Sequence, residues 1–302
     1  MWFWFAVIAL LCWSGSDLFS KIGCQDEKDK YSHLKMVTAV GIVMGLHAAY
    51  EIFFGGVEIN LEVILTYLPV SALYIVSMAV GYLGLRYIEL SISSPICNSS
   101  GAIVAVLTII TVGIGDEVPP VALVAVALVC IGVIGLGFTE ANEDEELRRA
   151  RQDASNRHYA KSWIAIFIPI VYCLLDALGT FADSRVLEII NEDSANVAYE
   201  LTFLAAGLGC LAYLLIRRKK FTFKLELPKY IGAACETVGQ LFYIYALADE
   251  DHVMMSAPII SAYCVLSAVW GRIFLKEKLS WKHYLMIALV VVGIVLLGIY
   301  DI

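Results

Sequence analysis

Charge is scarce in this sequence. Asp, Glu, Lys and Arg make up 17% of the 302 residues, hydrophobic residues 60%, and mean hydropathy is +0.77. Soluble domains carry roughly 25% charge, and a soluble chain of this size has more surface than so few polar groups can cover. A soluble globular fold is therefore excluded. Period-2 alternation is lacking too, which excludes a barrel of membrane strands. The eight cysteines (Cys12, Cys24, Cys97, Cys130, Cys173, Cys210, Cys235 and Cys264) contain no CxxC and no zinc spacing. All but Cys24 fall in apolar runs and read as small packing residues, neither a disulfide framework nor a metal site. No GxxxxGK[ST] loop is present, so this chain does not supply ATP-driven work, and neither HExxH nor GxSxG marks an intramembrane enzyme. No motif calls for a cofactor. The first apolar run, which begins MWFWF, has no basic flank and no A-x-A site after it, so a retained helix is expected rather than a signal peptide.

What the sequence does have is a series of apolar runs near twenty residues long. A helix of ~20 residues rises about 30 Å, the hydrocarbon thickness of a bilayer. Runs at 2–22, 36–54, 63–85, 93–114, 119–138, 162–182, 196–216, 230–248, 253–275 and 283–300 predict an all-α integral membrane fold of ten transmembrane helices.

The few charges are distributed unevenly. With ten spans, every lysine and arginine except Arg185 falls in or beside an odd-numbered loop, beginning with Lys21, Lys28, Lys30 and Lys35 in the first. The even loops read VEINLE, DEVPP and LADED, acidic or neutral. Positive residues mark cytoplasmic loops, so the odd loops are expected inside and both termini outside. The net charge of −8 sits mostly in these loops and says little about partners. Nucleic-acid binding is not indicated. The run RRKKFTFK (217–224) borders a span and reads as a topology determinant in contact with anionic lipid.

The longest polar segment, FTEANEDEELRRARQDASNRHYAK (138–161), pairs Asp144 with Arg148 and Glu145 with Arg149 at helical spacing. It divides the chain into residues 1–138, a linker 139–161, and residues 162–302. The two blocks resemble each other. Ser94-Pro95 and Ala257-Pro258 each open a helix, Glu117 and Glu277 follow its end, and the Gly-rich runs IGVIGLG and VGIVLLG close each half. Ser14-Gly15-Ser16 with Lys21 corresponds to Leu178-Gly179-Thr180 with Arg185. Five helices per half is an odd number, so the halves would insert upside down to one another as two inverted five-helix repeats, the logic of alternating-access carriers.

On these residues the chain resembles the drug/metabolite transporter superfamily, EamA type. The stretches that carry the likeness are CWSGSDLFSKIG (12–23), GLRYIELSISSP (84–95), YALADEDHVMMSAP (245–258) and the two endings of acidic residue and Gly-rich helix. The resemblance covers nearly the whole chain and makes each half an EamA-like repeat. It implies a ten-helix carrier, commonly an exporter of amino acids, metabolites or toxic compounds, coupled to an ion or substrate gradient. Many members carry the opposite charge bias, with termini inside.

Ionisable groups within a hydrocarbon span are costly and mark function by default. Four stand out: Asp17, His47, Asp176 and Glu236. Each belongs to a polar stripe at helical spacing: Trp13, Asp17 and Ser20; Asp176, Thr180 and Asp183; Glu236, Gln240 and Tyr243; His47, Tyr50 and Glu51. Asn98, Ser99 and Ser100 follow Pro95 and could line the same interior. Glu51 and Glu200, at span ends, read as interfacial, and His47 reads also as a hydrogen-bonded packing residue. Asp17 and Asp183 lie near enough to span ends to meet water, and Tyr74, Tyr82, Tyr172, Tyr245 and Tyr263 read mainly as packing or belt residues. The deep positions hold carboxylates and no Lys or Arg, which favours a cationic or zwitterionic solute. The expectation is a secondary transporter of a small polar, zwitterionic or cationic metabolite, an exporter with proton antiport at Glu236 or Asp176. The alternative is a flippase for a lipid-linked sugar or other lipid head group. The partners are the solute, membrane lipids and a proton or other coupling ion, with the chain a monomer or homodimer in the cytoplasmic (plasma) membrane. Gly41 and Gly45 form a GxxxG suited to close helix packing, within one chain or between two.

Overall fold

Away from water, a membrane segment satisfies its backbone N–H and C=O groups internally, and long apolar runs do so as helices. The computed structural model describes residues 1–24, 29–85, 90–111, 113, 120–141, 163–275 and 279–300, and these contain twelve α-helices and no strand. They are α1 (Trp2–Cys24), α2 (Ser32–Tyr50, continued by a π-turn Glu51–Gly55), α3 (Leu61–Gly84), α4 (Leu90–Cys97), α5 (Ser100–Thr111), α6 (Pro120–Ala141), α7 (Trp163–Val186), α8 (Glu192–Ile216), α9 (Phe223–Leu247), α10 (Val253–Ser261), α11 (Tyr263–Phe274) and α12 (Trp281–Tyr300). Asn60 and Asn191 start α3 and α8 by accepting the N–H groups of Val63 and Ser194, at 2.9 and 2.8 Å. Arg86, Glu117, Glu277 and all of the 139–161 linker beyond its first three residues lie outside the described residues.

Among the described residues, seven helical segments are long and apolar enough to cross a membrane, with α10 and α11 counted as one. The other three expected spans differ for physical reasons. α4 and α5 are separate short helices. α9 carries Lys224, Glu226, Lys229 and Glu236. The described apolar part of α12 runs only from Trp281 to Leu297.

The expected continuous helices 93–114 and 253–275 are both broken, α4 from α5 at Asn98–Ser99 and α10 from α11 at Ala262. Each break follows a proline, which lies within the preceding helix rather than opening it. Proline lacks an N–H and crowds the turn before it, so it does not by itself make a break three or four residues later, and Pro69, Pro169 and Pro228 lie inside unbroken helices. At the first break the Ser94 carbonyl accepts both the Asn98 backbone N–H (2.9 Å) and its side-chain amide (2.7 Å). At the second, the Ala262 N–H is shared between the carbonyls of Pro258 and Ile259, both at 3.1 Å.

The main helix pairings are α1 on α9, α3 on α7, α2 on α8, α6 on α12 and α5 on α10. Small residues permit them. A Cβ on Gly41 would stand 2.6 Å from the Phe203 carbonyl oxygen and 2.9 Å from Gly207 Cα, so the α2 GxxxG packs on α8 of the same chain. A Cβ on Gly239 would meet the Trp13 ring at 2.3 Å, which shows how closely α1 lies on α9.

Three lysines depart from the expectation that the interior holds no cation. Lys21, placed by the sequence in the first loop, belongs to the last turn of α1 and is 1% exposed, with its Nζ donating to the Leu85 carbonyl at 2.7 Å. Lys35 and Lys229 are buried in an ion network. Lys35 Nζ lies 2.6 Å from Asp29 Oδ2 and 3.0 Å from Glu226 Oε1, while Lys229 Nζ lies 3.0 Å from Glu226 Oε2. Lys35 also donates to the Lys220 carbonyl at 2.7 Å, so the α1–α2 turn, α2, α9 and the α8–α9 turn are tied at one end of the bundle. A long lysine stem packs against apolar neighbours while its ammonium reaches carbonyl and carboxylate oxygens at helix ends, and a burial of this kind has no sequence signature.

Candidate functional site

The polar stripes converge. One cavity is lined by Trp13, Ser16, Asp17 and Ser20 of α1, by Tyr74 to Leu85 at the end of α3, by Ser93 to Asn98 around the first break, by Tyr172, Asp176 and Thr180 of α7, by Tyr199 of α8, by Glu236, Gln240 and Tyr243 of α9, and by Ala257 to Tyr263 around the second break. Of the nine residues singled out from sequence, eight line it: Trp13, Asp17, Asn98, Asp176, Thr180, Glu236, Gln240 and Tyr243. The ninth, His47, does not. Its Nδ1 lies 2.8 Å from Glu200 Oε1 and its Nε2 3.6 Å from Glu51 Oε1, in a separate cluster between α2 and α8. Glu200, read as interfacial, is 0% exposed, because α2 covers it and His47 partners it.

The three cavity carboxylates come from three different helices, and serines hold two of them. Asp17 Oδ2 accepts hydrogen bonds from Ser94 (2.5 Å) and Ser267 (2.7 Å), which joins α1 to α4 and α11. Asp176 Oδ2 accepts from Ser100 at 2.7 Å, at the start of α5 just past the first break. Glu236 is 8% exposed and faces Ser16 across the α1–α9 contact. Residues beside the first break thus supply hydroxyls, Ser94 to Asp17 on α1 and Ser100 to Asp176 on α7, while Asn98 donates to Ser94.

Away from the α1 C-terminus the cavity ends in a tyrosine cluster. Asp183, expected to meet water, is 0% exposed. Its Oδ1 accepts from Tyr67 OH at 2.8 Å and its Oδ2 from Tyr74 OH at 3.4 Å. Tyr74 also reaches Thr180 Oγ1 at 3.1 Å and pairs with Tyr243 OH. These residues tie α3, α7 and α9 together. Trp13 lies tilted against Tyr243 (ring centroids 4.9 Å, 35°) and meets Tyr263 edge-on (5.8 Å, 72°).

Sequence reasoning missed the tyrosines as a group. Tyr74, Tyr82, Tyr172 and Tyr263 line the cavity, whereas Tyr245 pairs with Asp193 on α8. A tyrosine in an apolar run gives no local sign of which way it faces. The one available signal was helical register, since Tyr74, Met78 and Gly81 repeat at i, i+4, i+7. Among the described residues no group of three or more His, Cys, Asp and Glu side chains is arranged to hold a metal ion.

Comparison with known proteins agrees with this architecture. No curated protein matches the chain. A solved structure, described only as the crystal structure of a protein, superposes with a TM-score of 0.66 at 13% identity, over 98% of this chain and 96% of its own, a likeness of fold alone. Residues 163–299, from the start of α7 almost to the end of α12, match the family model of the EamA-like transporter family. The apolar helices make the chain an integral membrane protein, and its residues 163–299 are similar to the EamA-like transporter family, part of the drug/metabolite transporter superfamily.

Proposed function

We propose that this chain is a secondary carrier that exports a small polar solute, zwitterionic or cationic, by alternating access with proton coupling at Glu236 or Asp176. The observation that carries the reading is the convergence of Asp17, Asp176 and Glu236 on one cavity inside an apolar bundle. A carboxylate in low dielectric needs a compensating charge. A proton and a cationic solute both supply it, so the two compete for the same groups. A flippase for a phosphate-bearing lipid needs the opposite sign at the centre of its cavity, and the three carboxylates weigh against it.

The pairing of helices supports two inverted repeats, 1–138 and 162–302, joined by the 139–161 linker. In that scheme the first helix of each half packs on the third of the other, α1 on α9 and α7 on α3, while the second and fifth helices pack on their own counterparts. The fourth helix of each half is broken after its proline. The charge bias orients odd loops to the cytoplasm, with both termini outside and the chain in the cytoplasmic membrane.

The test is flux in proteoliposomes loaded with a pH-sensitive dye, with amino acids, polyamines, quaternary amines and sugars presented to wild type and Glu236→Gln. Proton movement driven by a zwitterion or cation, and lost in the mutant, is the expected result. Full proton-coupled flux in both Glu236→Gln and Asp176→Asn refutes the coupling. No flux with any compound refutes the carrier.

A further inference from the structure

The carrier reading leaves the basic α8–α9 turn unused. Charges at this end of the bundle form two layers. The inner layer is neutral, with Asp29 and Glu226 engaged by the buried Lys35 and Lys229. The outer layer holds Arg217, Arg218, Lys219, Lys220 and Lys224, and among the described residues none of these has a carboxylate partner. Two of the cations are held on aromatic rings. Lys219 Nζ stands 4.3 Å from the centroid of the Tyr31 ring and Arg217 Cζ 5.5 Å from that of Tyr213, and the two rings are 6.2 Å apart. Backbone places the third. The Arg218 N–H donates to the Leu215 carbonyl and the Lys219 N–H to the Leu214 carbonyl, both at 2.9 Å, which closes α8 with a Schellman turn. The turn sets Arg218 at φ 50°, a left-handed position that glycine adopts without strain. Among the described residues no other non-glycine has a positive φ. What an arginine adds there is a cation. Apolar side chains flank the turn, and Ile216 and Phe223 are each 79% exposed.

A basic run beside a span implies only a general attraction to anionic lipid. We propose a defined site: Arg217, Arg218 and Lys219 bind the phosphate of one anionic phospholipid, and its acyl chains lie along Ile216 and Phe223. Both residue types donate to phosphate oxygens, arginine through two N–H groups at once. Soluble phosphates share that chemistry, but the exposed apolar flanks stand at the end of a membrane span and match acyl chains. With odd loops in the cytoplasm, as proposed above, the turn faces the leaflet whose surface is negative. The site shares no residue with the cavity wall and does not depend on the carrier reading. Its occupancy reaches the interior through backbone, because the Lys220 carbonyl accepts from Lys35 at 2.7 Å. A lipid that fixes the turn also fixes this acceptor, so bound lipid stabilises the end of the bundle.

The full chain in an uncharged detergent is titrated with phosphatidylglycerol, with phosphatidylcholine of the same acyl chains, and with inorganic phosphate, and melting is followed by tryptophan fluorescence. Phosphatidylglycerol should raise the melting temperature, with a rise that shrinks at high salt, whereas phosphatidylcholine and inorganic phosphate should not. Arg217→Gln and Lys219→Gln should each weaken the apparent lipid affinity about fivefold, the loss of one basic residue at an anionic surface. Arg218→Gly separates a ligand role from a structural one. It relieves the left-handed strain, so the lipid-free chain melts at the same temperature or higher while the lipid affinity falls by the same factor. Arg272→Gln, exposed in the last turn of α11, should keep the full lipid response. No rise with phosphatidylglycerol, an equal rise with phosphatidylcholine, or an equal rise with inorganic phosphate alone overturns the lipid site. An unchanged response in all three turn variants does so too, as does a loss in Arg272→Gln as large as theirs.

Discussion

Glu226 holds two buried lysines at once, and its removal tests whether the ion network ties the bundle end together. Its side chain is 9% exposed, against 4% for Lys35 and 2% for Lys229, with both ion-pair distances at 3.0 Å. Breaking a buried pair by deleting one partner costs about 3–5 kcal/mol, because the remaining charge is left uncompensated. Some compensation survives here. Lys229 keeps the Leu225 carbonyl at 2.7 Å, and Lys35 keeps Asp29 and the Lys220 carbonyl. Glu226→Gln therefore sits near the lower end, about 3 kcal/mol. Removing the stranded cation as well, in Glu226→Gln/Lys229→Met, recovers part of the loss, with a coupling of about 1 kcal/mol or more between the two sites. The assay is thermal unfolding in detergent followed by tryptophan fluorescence. The single variant should melt several degrees lower and the double variant between it and wild type. A single variant as stable as wild type, or strictly additive effects, would show that water already reaches these groups and that the network is not a buried tie.

Two further predictions follow from the same end of the bundle and from the α2–α8 contact. Burial acts to raise the Asp29 pKa, but hydrogen bonds from Lys35 and the Tyr31 N–H outweigh it and hold the carboxyl below its ordinary value. A depressed pKa in the folded state contributes stability above the unfolded value, near 3.9, and that stability is lost as pH falls through the folded value. The difference in melting temperature between wild type and Asp29→Asn should thus be constant from neutral pH to about 5 and shrink below about 4; a difference that grows on acidification contradicts it. Gly41→Leu places carbon where the Phe203 carbonyl and Gly207 Cα already stand, at 2.6 and 2.9 Å. Backbone cannot rotate away as a side chain can, so a loss of about 1–3 kcal/mol is expected, seen as a lower melting temperature, and an unchanged one would show that α2 and α8 are not in this contact.

Much of the site was legible because its signal is local. A carboxylate flanked by polar residues at i+4 and i+7 in an apolar run has one polar face, and lipid cannot cover it. That reasoning brought Asp17, Asp176 and Glu236 with Thr180, Gln240 and Tyr243 to one cavity before any coordinates. His47 carries the same local signature, yet its face meets Glu200 on α8, 153 positions away in the chain. Asp183 reads like a span-end residue, yet tyrosines from α3 and α9 enclose it.

Taken alone, the sequence determined that this chain lives in a membrane, where most of its helices run, and which faces of them are polar. Those properties follow from the length, hydropathy and 3.6-residue period of single segments. Tertiary structure alone decided which faces meet, where α4–α5 and α10–α11 break, that three lysines are buried, and that the Lys219 ammonium stands over the Tyr31 ring. Each of these depends on contacts between residues distant in the chain. A side chain's burial and hydrogen bonding are set by the neighbours that packing brings, and no window along one helix contains them.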